Sequence, residues 1–166
     1  MDSREALHNF EGLQAVGSPV ALELRRGAQP VKVDVTLREQ PRSEFVISTK
    51  VGRILRAARD GSGPFEVVFD YSAEGVQRAF EDSLQRLGLS RVDMLIVHDL
   101  DFGYHAPQAR WDAMMGQLLT SGWRALDDLR AAGTIGAVGV GINPRGMIPR
   151  FLELFDPDFF VLAGRY

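Results

Sequence analysis

Two side chains with useful chemistry stand at the ends of short apolar runs: Lys50 closes FVISTK, and His98 lies at the end of VDMLIVHD. A cation and an imidazole on one rim can stabilise negative charge growing on an oxygen between them. Both runs are continuously hydrophobic and β-branched, the pattern of buried strands in a parallel sheet. In parallel α/β proteins ligands and catalytic groups gather at the C-terminal ends of such strands. The elements that must deliver Lys50 and His98 to that end follow from the pattern on either side.

From Ser43 onward strands and helices alternate. The sequence predicts strands at Phe45–Thr49, Val92–Val97, Ile135–Val140 and Phe159–Ala163. After Ser72, a good N-cap, a helix is expected through Val76, Ala79, Phe80, Ser83, Leu84 and Leu87, stopped by Gly88. A second runs from about Trp111 to Ala132 on the stripe Met115, Leu118, Leu119, Leu126 and Leu129, with Gly116 and Gly122 as weak points. A third, near Met147–Phe155, tolerates Pro149 in its first turn. The segment holding Gly61, Gly63 and Pro64 reads as a loop too polar for the core. This is α/β with right-handed crossovers, and an open doubly wound sheet and a barrel both fit. Residues before this region differ: VALEL and VKVDVTL alternate with period 2 around GAQP, which predicts an antiparallel ribbon.

Composition narrows the function classes. The 166 residues suit one ordinary domain, and 19 basic against 22 acidic residues give a net charge of −3, too little to draw in nucleic acid or anionic lipid. No apolar stretch approaches the ~20 residues of a membrane span. Without cysteine there is no disulfide, thiolate nucleophile or cysteine-bound zinc, and a cytoplasmic location is expected. No metal site is expected: Asp99 and Asp101 read as a solvated loop, with no third oxygen ligand at a recognisable spacing. His105 reads as a solvated loop residue, with substrate contact as the alternative. His8 reads as exposed, and Tyr71, ahead of a helix across a long loop, as packing.

The segments FVISTKVGR, FDYSAEGVQRAFEDSLQRLGLSRVDMLIVHDLD, LRAAGTIGAVGVGIN and VLAGRY resemble the aldo-keto reductases, particularly the bacterial aldose 1-dehydrogenase branch, from about Leu37 to Tyr166. The resemblance implies a partial (β/α)8 TIM barrel, about strands three to six with their helices. Residues 1–36 are then an unrelated N-terminal segment and 37–166 the barrel part. It further implies NAD or NADP as cofactor and hydride transfer between nicotinamide and a small sugar or related aldehyde. By motif, Lys50 resembles the lysine that lowers the pKa of a proton-exchanging tyrosine, His98 the histidine that orients the carbonyl oxygen, and Asn143 the asparagine that holds the nicotinamide carboxamide. Both catalytic roles are physically sound, since an ammonium favours a neighbouring phenolate and an imidazole can donate to an oxygen gathering charge.

The family's remaining tetrad members, an aspartate and a tyrosine, come from an FDTA-type segment followed by Tyr and Gly; residues 1–41 contain no tyrosine. A complete barrel takes about 250 residues, so a reading frame interrupted upstream of Leu37 and after Tyr166 is expected, with self-association through uncovered strand edges. The competing expectation is a non-catalytic half-barrel that binds a partner. A lyase using Lys50 as a Schiff base lacks a phosphate loop.

Overall fold

The computed structural model describes residues 16–27, 29–36, 38–58, 61, 63 and 65–163. They divide into two compact units, one ending at Phe45 and the other beginning at Val46. In the first, β1 (Pro19–Arg26) and β2 (Gln29–Thr36) pair antiparallel, Val20 opposite Val35 and Leu22 opposite Val33. Half-buried Val31, Val33 and Val35 alternate with exposed Lys32, Asp34 and Thr36, as the period-2 pattern requires.

The second unit begins with β3 (Ser48–Val51), followed by a hairpin of β4 (Arg53–Arg56) and β5 (Glu66–Phe69). Then come α1 (Ala73–Leu87), β6 (Met94–His98), the single-turn α2 (Phe102–His105) and α3 (Gln108–Gln117). A π turn at Leu118–Gly122 joins α3 to α4 (Trp123–Ala131), and β7 (Ala137–Ile142), α5 (Ile148–Leu154) and β8 (Phe159–Leu162) complete the unit. The sheet runs β3-β6-β7-β8, parallel throughout. This is α/β architecture amounting to part of a (β/α)8 barrel. Helix α1 starts and stops where its residues dictate: Ser72 Oγ accepts the Gly75 N–H at 3.2 Å, and Gly88 closes it in the left-handed region at φ 63°.

One face of the sheet carries the core. Val51, Leu95, Val97, Val138, Val140 and Ile142 join Val76 and Phe80 of α1, Leu126 of α4 and Phe151 of α5. The strands start later than apolarity predicts, Ser48 against Phe45, Met94 against Val92 and Ala137 against Ile135. Val92 and Ile135 are nonetheless buried at 1% and 3% exposure, so apolarity there marks burial and not pairing.

Two expectations need correction. The segment after Lys50 is no loop; RILR and EVVF form the β4–β5 hairpin, and Ile54 is buried in the core. Leu119 is exposed. The π turn shifts the helical phase, so that Gly122 and Trp123 are buried in its place, beside Leu118 as expected. It coincides with a close approach: a Cβ on Gly122 would strike the Tyr71 carbonyl oxygen. π turns interrupt α-helices where local contacts demand it, often near functional sites.

Candidate active site

Register decides which side chains meet. Lys50 pairs with Ile96, and His98 with Gly141. Because side chains alternate along a strand, Lys50, Ile96, His98, Gly139 and Gly141 lie on the face opposite the helix-packed core. Lys50 and His98 thus share pleat phase on neighbouring strands, ~4.8 Å apart, with His98 two positions nearer the C-terminal rim than the Lys50 partner. Asn143 follows β7 at the same rim, half-buried, its N–H donating to Asp101 Oδ2 at 3.2 Å. A cleft of about 500 Å³ touches Lys50, His98, Arg53 and Thr49.

The surroundings of the two residues differ. Lys50 is exposed. The His98 side chain is 22% exposed, with Nε2 3.0 Å from Asp99 Oδ2. Burial lowers the His98 pKa below its usual value; the Asp99 charge pulls it up, and Lys50 and Arg53 push it down. The neutral imidazole favoured by this balance donates its Nε2–H to Asp99. Asp99 itself occupies the left-handed region at φ 51°, and its N–H donates to the Gly141 carbonyl at 2.9 Å. For a non-glycine residue that conformation carries strain, and surrounding contacts must hold it.

Those contacts lie in a layer the sequence did not disclose. Tyr71 is fully buried, and its hydroxyl donates to the His98 carbonyl oxygen at 2.7 Å while standing 3.0 Å from His105 Nε2. Gln117 Oε1 accepts the Tyr71 N–H at 2.9 Å. Gly52, at φ 92°, leaves its missing side chain's space to the Tyr71 ring. Burial, reinforced by the charges of Asp99 and Asp101, drives the Tyr71 pKa far up, so its hydroxyl stays protonated. His105 is buried at 0% exposure, edge-on to the Phe69 ring, and its pKa is lowered, first by burial and then by the Arg110 charge.

Asp99 and Asp101 are buried too, at 9% and 1% exposure. Asp101 Oδ1 accepts the Gly103 N–H at 2.8 Å, capping α2, while its Oδ2 ties Asn143 to that cap. The expected solvated loop is therefore a packed polar layer under the rim: every carboxylate and ring in it finds partners inside the protein. Among the described residues no cluster of metal-ligating side chains forms. Nor, among them, is any helix long and apolar enough to cross a membrane. The one local signal for the hidden layer was the β-branched run FEVVFDY, which leads a strand straight into Tyr71.

The sequence matches the Aldo/keto reductase family model over residues 27–153. It is 43% identical over 150 residues to pyridoxal 4-dehydrogenase of Microbacterium luteolum, covering 78% of this chain and 43% of that protein. It is 31% identical over 153 residues to D-threo-aldose 1-dehydrogenase of a Pseudomonas species, covering 84% and 44%. Among solved structures, glycerol dehydrogenase AKR11B4 from Gluconobacter oxydans aligns at TM-score 0.48 with 21% identity, covering 69% of this chain and 31% of that one. The chain thus spans less than half the length of these curated relatives. With the family model accounting for most of its residues, the chain belongs to the aldo/keto reductase family.

Proposed function

We propose that this rim serves NAD(P)-dependent hydride transfer between a nicotinamide and a small aldehyde or aldose, with the residues of this chain supplying the tuning and orienting part of the site. The observation that carries the reading is the shared phase of Lys50 and His98 on adjacent strands, with Asn143 beside them on the rim. Relatives named for pyridoxal and aldose oxidation support a small hydroxylated aldehyde as substrate.

The residues present fit a flat heteroaromatic cofactor. Gly141, opposite His98, presents bare backbone on the inner face, where a Cβ would reach Ile96 Cγ2 at 3.2 Å. Asn143, anchored by Asp101, would hold the nicotinamide carboxamide. When bound, nicotinamide supplies or accepts the hydride. Lys50 holds a positive charge beside the reacting oxygen and favours the ionised form of a neighbouring proton donor. His98 orients the carbonyl oxygen through the N–H that Asp99 now engages, the substrate oxygen sharing or displacing that acceptor.

The proton-exchanging tyrosine of the family has no motif counterpart here, and Tyr71 is unsuited to the role: its hydroxyl is buried, strongly protonated and committed to His98. A general acid–base group is worth roughly 10²–10⁴-fold in rate, so we expect cofactor binding with aldose oxidation no faster than background. The test is nicotinamide fluorescence titrated with the purified protein, beside Lys50→Met and Asn143→Ala variants, and an oxidation assay with aldoses and pyridoxal. Binding weakened by Asn143→Ala supports the reading. No binding at millimolar cofactor favours the half-barrel that binds a protein partner, and robust turnover overturns the account of the missing proton donor.

A further inference from the structure

The polar layer under the rim is larger than the proposed chemistry needs. Tyr71 and His105 are both fully buried, yet their polar atoms form a chain ending on the His98 backbone.

The direction of that chain follows from counting protons. Tyr71 has one hydroxyl hydrogen and gives it to the His98 carbonyl at 2.7 Å. At 3.0 Å from His105 Nε2, the Tyr71 oxygen must then accept, so His105 carries its proton on Nε2. The other nitrogen is compatible with this: His105 Nδ1 is buried and makes no hydrogen bond of good geometry, although the Asp99 backbone lies close enough to the ring to favour a proton on it. Burial and Arg110 both oppose a second proton on that ring, with Asp101 and Asp99 pulling the other way. The acceptor at the end of the chain is the last carbonyl of β6, beyond which Asp99 turns left-handed and its carboxylate comes back onto His98 Nε2.

We propose that Tyr71 and His105 are positioning residues for His98: the chain His105 Nε2–H to Tyr71 Oη–H to the His98 carbonyl holds the His98–Asp99 peptide in the orientation that brings the Asp99 carboxylate to His98 Nε2. The charged groups facing His98 are Lys50 on β3, Arg53 on β4 and Asp99. None of them fixes that peptide. Among the described residues, Tyr71 holds it through the carbonyl and Gly141 through the Asp99 N–H. The inference rests on the proposed role of His98 for its functional meaning, but its geometry is testable without cofactor or turnover.

The experiment is long-range 1H–15N correlation of the histidine rings in the full chain carrying 15N-histidine, compared with Tyr71→Phe and His105→Leu. In the unsubstituted protein we expect His105 and His98 each as the Nε2–H tautomer. Tyr71→Phe keeps the ring against Gly52 and removes only the hydroxyl. It should shift the His98 tautomer ratio roughly tenfold toward a mixture, the scale of one hydrogen bond, while His105→Leu shifts it less and in the same direction. A packing role alone would leave the His98 ring unchanged in Tyr71→Phe, and that outcome overturns the proposal. Should Tyr71→Phe fail to fold, the unsubstituted protein still decides, because a proton on His105 Nδ1 breaks the chain. Cofactor that binds without perturbing His98 would sink the proposed function and leave the relay standing.

Discussion

The two halves of the rim are built on different plans. On the β6 and β7 side, His98, Asp99, Asp101, Tyr71 and His105 form a layer in which hydrogen bonds at 2.7 to 3.2 Å leave little freedom. On the β3 side, Lys50 is the third residue of a four-residue strand, exposed beside the cleft. The groups proposed to orient an oxygen are preorganised inside this chain, whereas the proposed cation, Lys50, is exposed. Preorganised donors cost no rearrangement when charge develops; an exposed cation acts in high dielectric and counts for less.

The contrast is broken most directly at Gly122, packed against the Tyr71 backbone. Gly122→Ala places a Cβ against the Tyr71 carbonyl and should cost about 3 kcal/mol, as overpacking does. Gly116→Ala, in the same helical run, meets nothing within 4 Å and should stabilise by up to about 1 kcal/mol. Denaturant melts of the two variants check this, and equal effects would mean that the Tyr71 layer is not tightly built.

Charge substitutions sharpen the comparison between the halves. Asp99→Asn removes the charge that raises the His98 pKa and should send it lower still; Lys50→Met removes one that lowers it and should bring it up. NMR titration of His98 reads both. The exposed Lys50 should leave stability within about 0.5 kcal/mol of the unsubstituted chain.

The opposite end of the sheet serves as a control, away from the rim. Asp158 accepts the Val138 N–H at 2.7 Å and an Arg130 N–H at 2.8 Å, and these bonds hold its pKa below the ordinary 3.8. A depressed carboxylate stabilises the fold at neutral pH, and that contribution disappears as pH falls through the folded value. Because the side chain is 42% exposed, Asp158→Asn should cost no more than about 1 kcal/mol at pH 7. The difference should vanish in acid, as pH-dependent melts would show.

How much of this could be read beforehand depended on the range of the interaction. The limits of α1 were legible because Ser72 and Gly88 act within one turn, and the shared phase of Lys50 and His98 followed from alternation once the strands were placed. Tyr71, His105 and Asp101 were not legible as a group. Tyr71 meets His105 34 positions on, and Asp101 meets Asn143 42 positions on, and neither pairing leaves a period or a local composition behind. The hairpin escaped because the arginines of RILR look like loop chemistry, whereas its isoleucine alone turns inward.

The π turn also has a kinetic meaning. Gln117 and Ser121, at its edge and within it, accept the amide protons of Tyr71 and Ala73 at 2.9 and 3.1 Å. Those two amides flank the N-cap of α1, yet their acceptors ride on the α3–α4 run 46 and 48 positions away. Solvent exchange at Tyr71 and Ala73 should therefore follow opening of the distant helix, so that a loop by sequence takes its rate of breathing from a segment far along the chain.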